Sequence, residues 1–175
     1  MHSYKVGWDC YLPYYIKMKN ILRTRLQVPT NVHLFLDNNK LTIRGPIGSL
    51  SLANLNFLKA NKSLFYRLIQ KAVIGVSFGF IKQLVFVGVG YRVESITQET
   101  LKLKLGYSHL VTIKIPGSIT VYSPKRTVLI LKSFDLQFLN EFVSYIRSKK
   151  LPDVYKGKGI LVKNELISLK DGKKK

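Results

Sequence analysis

Between Pro152 and Ile160 the chain reads PDVYKGKGI, with Lys156 and Lys158 alternating with Gly157 and Gly159. Lysine ammonium groups neutralise phosphate oxygens. Glycine lets a backbone come close to a phosphate chain and donate its N–H groups to it. Tyr155 adds a ring that can stack or hydrogen-bond. The chemistry open to this segment is the binding of a polyanion, and the plainer reading is a surface turn.

Residues for catalysis are harder to find. Cys10 is the single cysteine, so an intramolecular disulfide is impossible and a Cys-based zinc site is not expected. It lies in an aromatic, basic segment with no histidine partner nearby, which reads as an unreactive thiol. His2, His33 and His109 are far apart and lack ligand spacing, and His33 falls within a strand pattern. No carboxylate pair stands out among the nine acids. Val87-Gly88-Val89-Gly90 lacks the third glycine of a dinucleotide fingerprint and runs into Tyr91 and Arg92, not into an apolar helix. Gly45-Pro46-Ile47-Gly48 matches a GxxG loop but follows a strand and has no helix immediately beside it, so it reads as a turn. No catalytic residue, metal or cofactor is expected, and no small-molecule substrate.

The charge balance points the same way as the lysine-glycine segment. Twenty-nine Lys and Arg stand against nine Asp and Glu in 175 residues, a net charge of +20. Self-repulsion of this size is most easily tolerated against a polyanion. Nucleic acid leads, because neutralising phosphates releases counterions; an anionic membrane surface comes second. From Arg147 to Lys175 there are ten Lys or Arg and three acids, ending in Lys173, Lys174 and Lys175, which reads as an arm lying on phosphates. The longest stretch without a charge, Gly45 to Leu58, is 14 residues and contains Gly, Pro and Ser, so no membrane span is expected. A hydrophobic fraction of 46% and 19 Phe and Tyr residues argue for a packed core. Lysines outnumber arginines 22 to 7 and there are only three alanines, the usage of AT-rich codons, as in many organelle genomes. Residues 1–27 read as a basic extension: Met1 to Leu26 carries five Lys or Arg and one acid, without the serine richness of a transit peptide.

These residues need elements to position them. Val32 to Leu36 and Leu41 to Arg44 read as a hairpin turning at Asp37-Asn38-Asn39, and Ser49 to Leu52 as a further strand. Ser63 is expected to cap a helix in which Phe65, Leu68, Ile69, Ala72, Val73 and Val76 recur at helical spacing. Leu84 to Val89, Val111 to Ile115, Ile119 to Tyr122 and Val128 to Lys132 read as strands. Leu101, Leu103 and Leu105 alternate with Lys102 and Lys104, a sheet buried on one face and basic on the other. A second helix starts near Asp135, buries Leu136, Leu139, Val143 and Ile146, and is ended by Pro152. Arg147, Lys149 and Lys150 crowd its last turn, where positive charge suits the helix dipole. Pro29, Val32, Leu34, Leu41 and Ile43 match Pro116, Ile119, Val121, Val128 and Ile130, every pair 87 positions apart. This reads as an internal duplication. The expected fold is α+β, two similar small domains, each an antiparallel sheet with a helix on one face. Their expected spans are 28–83 and 84–175.

At this point the motifs together resemble one family. PDVYKGKGI, GVGYR (Gly88 to Arg92), LKLKLGYSH (Leu101 to His109), IPGSITV (Ile115 to Val121) and the closing GKKK follow the order found in the bacterial-type ribosomal protein L-six family of the large subunit. VPTNVHLFLDNNKLTIRGPIGSL (Val28 to Leu50) is similar to that family's first domain. The resemblance implies a structural, non-enzymatic rRNA-binding protein with two related domains, seated near the region where translation factors dock, with neighbouring large-subunit proteins as further partners. Carried over position by position, the implied rRNA contacts are Tyr155, Lys156, Gly157, Lys158, Gly159, the turn Gly106-Tyr107-Ser108-His109, and Lys173, Lys174 and Lys175. Arg92, Arg147, Lys149 and Lys150 join them by charge and location. The chain is shorter than the bacterial pattern between Leu52 and Ser63, so its first domain is expected to have a reduced sheet. That departure, the residues ahead of Val28 and the codon signal together lead us to expect an organellar ribosome, the mitochondrial one in preference to the plastid.

Three rivals come from other classes. A membrane-surface protein needs a basic helix with an apolar face left over, and both helices here use theirs on their own sheets. An RNA-modifying enzyme needs a cofactor loop or a catalytic constellation. A non-ribosomal RNA-binding assembly factor is the nearest alternative, because its composition could be the same.

Overall fold

The structure, a computed structural model, describes residues 28–37, 40–53 and 62–172. The basic extension 1–27, the tip of the first hairpin, most of the shortened stretch after Leu52, and Lys173, Lys174 and Lys175 lie outside the described residues. The architecture is α+β, with antiparallel sheets and, among the described residues, two helices. No helix among them is long and apolar enough to cross a membrane. The chain divides into two compact units between Ser77 and Phe78. The first strand of the second unit begins at Phe80 rather than Leu84, so the division falls six residues before the expected one.

In the first unit β1 (His33–Asp37), β2 (Lys40–Arg44) and β3 (Ser49–Ala53) form a sheet in that order. Gly45-Pro46-Ile47-Gly48 is the β2–β3 turn, closed by the Gly45 N–H donating to the Gly48 carbonyl at 3.0 Å. Gly45 has to be glycine, since a Cβ there would stand 2.4 Å from Val76 Cγ1. Helix α1 (Lys62–Ser77) covers one face of this sheet. Phe65, Ile69, Ala72, Val73 and Val76 pack on Leu41 and Ile43, all buried. Ser63 lies inside the first turn of α1, so it is not the expected cap.

The second unit has two sheets. One has the order β10 (Gly159–Val162), β4 (Phe80–Val87), β9 (Val128–Ser133) and β8 (Ile119–Lys125). The other runs β5 (Arg92–Ile96), β6 (Thr100–Lys104) and β7 (Val111–Lys114). Leu101, Leu103 and Leu105 face inward and are fully buried, as their alternation requires, with Lys102 and Lys104 exposed. Helix α2 (Leu136–Ser148) is capped by Asp135, whose carboxylate accepts from the backbone N–H of Gln137 at 2.9 Å. It packs Leu139, Phe142, Val143 and Ile146 against β4, β9 and β10, and Leu136 is only half-buried. The helix stops at Ser148, before Pro152. Strands β5 and β10 are additions to the expected set.

The duplication shows in matching turns. The N–H of Val32 donates to the Pro29 carbonyl at 3.1 Å, and the N–H of Ile119 to the Pro116 carbonyl at 3.0 Å. Past that point the copies slip by one. The buried partners of Leu41 and Ile43 in position and environment are Leu129 and Leu131, not Val128 and Ile130. An irregularity between Tyr122 and Lys125 of β8 takes up the extra residue. A bulge adds one residue to one strand, and a slip of one residue moves every side chain to the other face.

Candidate nucleic-acid interface

The PDVYKGKGI segment is folded around Asp153. Its carboxylate accepts from the N–H of Tyr155 (3.4 Å) and of Lys156 (3.2 Å). Its carbonyl accepts from the Gly157 N–H and its own N–H donates to the Lys158 carbonyl, both at 2.9 Å. The backbone N–H groups of Tyr155, Lys156 and Gly157 are therefore already occupied. The exposed side chains of Tyr155, Lys156 and Lys158 are what the loop offers a partner. Gly157 sits half-buried at φ +64°, the left-handed conformation that suits glycine in such a turn. Gly159 is buried in β10, and a Cβ on it would lie 2.5 Å from Pro152 Cα. Its glycine makes room for Pro152, and unlike the lysines on this loop it is buried in the chain by itself.

The Gly106–His109 turn follows β6 and is set by another glycine, Gly106, at φ +77° with the Tyr91 ring where a Cβ would be. Tyr107 Oη donates to the Lys149 carbonyl at 3.0 Å, at the C-terminal end of α2. The Tyr107 and His109 rings stack, centroids 5.9 Å apart and 18° from parallel. Lys150 Nζ lies 4.7 Å from the Tyr107 ring, and Lys149 Nζ 4.2 Å from the Tyr145 ring. The N–H of Ile160 donates to the Lys150 carbonyl at 3.0 Å, tying the lysine-glycine loop to the same helix end. Tyr107, His109, Lys149 and Lys150 are thus brought together, with Ser108 exposed in the same turn and the Tyr155–Lys158 loop attached. Tyr145 is absent from the expected set; its spacing of four from Lys149 on one helix is the available signal. Rings beside ammonium groups can stack on bases while the charges meet phosphates.

Two expected residues are otherwise engaged. Arg147 Nη2 forms an ion pair with Glu165 Oε1, and Glu165 Oε2 accepts from the Val162 N–H at 3.1 Å. The Arg147 Nε is buried without a partner, and the side chain, 35% exposed, fixes the segment after β10 to α2. Arg92 pairs with Glu94 at 2.8 Å on the β5–β6–β7 sheet, across from Lys104. The hydrogen bond from Arg92 holds the Glu94 carboxyl below the usual carboxylate range, with Lys104 and Arg126 adding to the effect. Among the described residues no group of His, Cys, Asp and Glu is placed to hold a metal ion.

Fold and site together define a class: a two-unit α+β protein that presents rings and ammonium groups on a surface built by structural glycines. A family model described as Ribosomal protein L6 matches residues 87–163, which takes in the whole cluster. The chain is 36% identical to large ribosomal subunit protein uL6 of Chromohalobacter salexigens over 177 aligned positions, which cover 90% of this chain and all of that protein. It is 36% identical to uL6 of Mycoplasma genitalium, covering 83% of this chain and 90% of that one. With uL6c of Arabidopsis thaliana the identity is 33%, over 90% of this chain and 79% of that one. The chain belongs to the ribosomal protein L6 family, and like the members of that family it is a structural protein and not an enzyme.

Proposed function

We propose that the chain is a constituent of the large ribosomal subunit, where it binds rRNA through its second unit and supports subunit assembly and translation. The observation that carries this reading is the meeting of Tyr107, His109, Lys149 and Lys150 at the end of α2 with the Tyr155–Lys158 loop attached. Phosphate contacts from the lysines would supply affinity, and RNA shape, stacking and 2′-hydroxyl contacts would supply selectivity. Placement near the translation-factor docking region rests on the family resemblance, as do neighbouring large-subunit proteins as partners. The mitochondrial ribosome is the proposed address, supported by the lysine-rich, alanine-poor composition.

Two measurements test it. Sedimentation of a mitochondrial lysate in high salt should place the chain with the large subunit in stoichiometric amount, and ribonuclease digestion should abolish the comigration. Migration only with immature particles would favour the non-ribosomal assembly factor. Replacing Lys156 and Lys158 together by Ala should weaken rRNA binding and flatten its dependence on log salt by about 0.7–0.9 for each phosphate they neutralise. An unchanged slope would sink the assignment of that loop.

A further inference from the structure

The first unit carries a surface that the α2 interface does not use. Opposite residues of antiparallel strands share a face, and α1 covers only the face bearing Leu34, Leu41, Ile43, Leu50 and Leu52. The other face carries His33, Phe35 and Asp37 on β1, Lys40, Thr42 and Arg44 on β2, and Ser49 and Ser51 on β3. All of these are exposed except Thr42, which is half-buried.

Phe35 stands near the middle of this face with half of its surface open, 50% exposed. The Arg44 guanidinium carbon lies 5.8 Å from its ring centroid, reaching it diagonally across the β1–β2 pair. A single exposed aromatic is ordinary on a protein surface. Among the described residues this one is not surrounded by other apolar groups, as a protein-docking patch would be. Its neighbours are a guanidinium, an imidazole, an ammonium and three hydroxyls, against one carboxylate.

That combination suits one kind of ligand. An open sheet with a ring for a base to stack on, a planar guanidinium beside it for a phosphate, and small hydroxyl residues that leave the approach clear is how unpaired nucleotides are held. A duplex would gain nothing from Phe35, because its bases are already stacked on one another. We infer that the outer face of β1–β2–β3 is a second RNA site that takes unpaired nucleotides, with a base on Phe35 and phosphates on Arg44 and Lys40. This goes beyond the α2 interface and stands or falls apart from it.

The test uses the full chain carrying Lys156→Ala and Lys158→Ala, so that the α2 loop contributes less, and a short fluorescein-labelled oligouridylate as probe. Adding Phe35→Ala should weaken binding by on the order of tenfold and leave the salt slope unchanged. Adding Arg44→Ala should reduce the slope by about 0.7, the share of one phosphate on a single strand. Phe35→Trp should restore affinity, which separates loss of stacking from loss of fold. Ultraviolet crosslinking of assembled particles should join the peptide containing Phe35 to a nucleotide. Equal affinity of Phe35→Ala and its parent would overturn the inference. So would particles in which Phe35 is covered by another protein or by residues 1–27. Failure of the α2 reading would show differently, as parent binding unaffected by the two lysine replacements.

Discussion

Gly90 and Gly106 share one backbone conformation, φ +77°, but only Gly106 has an atom waiting behind it. Nothing lies within 4 Å of a Cβ built on Gly90, whereas a Cβ on Gly106 would meet Tyr91 Cε1 at 2.9 Å. Alanine at Gly90 should therefore cost only the left-handed strain, about 1–2 kcal/mol. At Gly106 it should cost that plus an overpacking term of about 1–3 kcal/mol. Urea unfolding of the two variants reads the difference, and equal costs would mean that the Tyr91 ring simply swings aside. Glycines and charges also differ in how much of their role a sequence can reveal. The exposure of Tyr155, Lys156 and Lys158 is legible because the charge of the two lysines keeps that loop in water. The role of Gly159 is not, because its reason for being glycine is Pro152, whose backbone approaches it only in the fold. Nor is that of Arg147: its partner is Glu165, beyond the helix and a further strand, and a charge count cannot tell a paired guanidinium from one facing solvent.

At the scale of elements, the alternation of Leu101, Leu103 and Leu105 with lysines and the helical spacing of Phe65 to Val76 are strong periods, and both specify the right element with the right face buried. Arg92–Ile96 is not legible: RVESI places just one buried side chain, Val93, on its inner face. Gly159–Val162 is hidden by the lysine-glycine run just before it. The register of β9 depends on a bulge in a neighbouring strand, which no pattern within β9 records. That register can be tested directly. Leu131 is fully buried, while Ile130 is half-buried and faces the other side, across from Gln83 and Tyr122. Leu131→Ala should cost about 2–5 kcal/mol, the range for a cavity at a core leucine. Ile130→Ala should cost less, about 1–2 kcal/mol, because its side chain stays partly open to water and its removal leaves no closed cavity. The 87-position alignment gives the reverse order, so thermal or denaturant unfolding of this pair of variants decides between the two.

At the scale of the whole molecule, the two units have separate cores. Among the described residues, every buried residue of one core lies between Val28 and Val76, and every one of the other between Leu84 and Ile160. A unit with its own core needs no neighbour to bury its apolar surface. The fragment from Phe78 to Lys175 should thus unfold cooperatively by itself, at a midpoint that Ile43→Ala in the full chain does not shift for this unit. The fragment also keeps most of the charge, with 18 Lys or Arg against seven acids. If the α2 surface supplies the main rRNA contacts, the fragment should retain binding with a large part of the salt slope. The slope missing from it then counts the phosphates met by the rest of the chain, about 0.7–0.9 for each. No missing slope would place all the phosphate contacts in the second unit. A deficit that Arg44→Ala reproduces in the full chain would assign that share to the open sheet of the first.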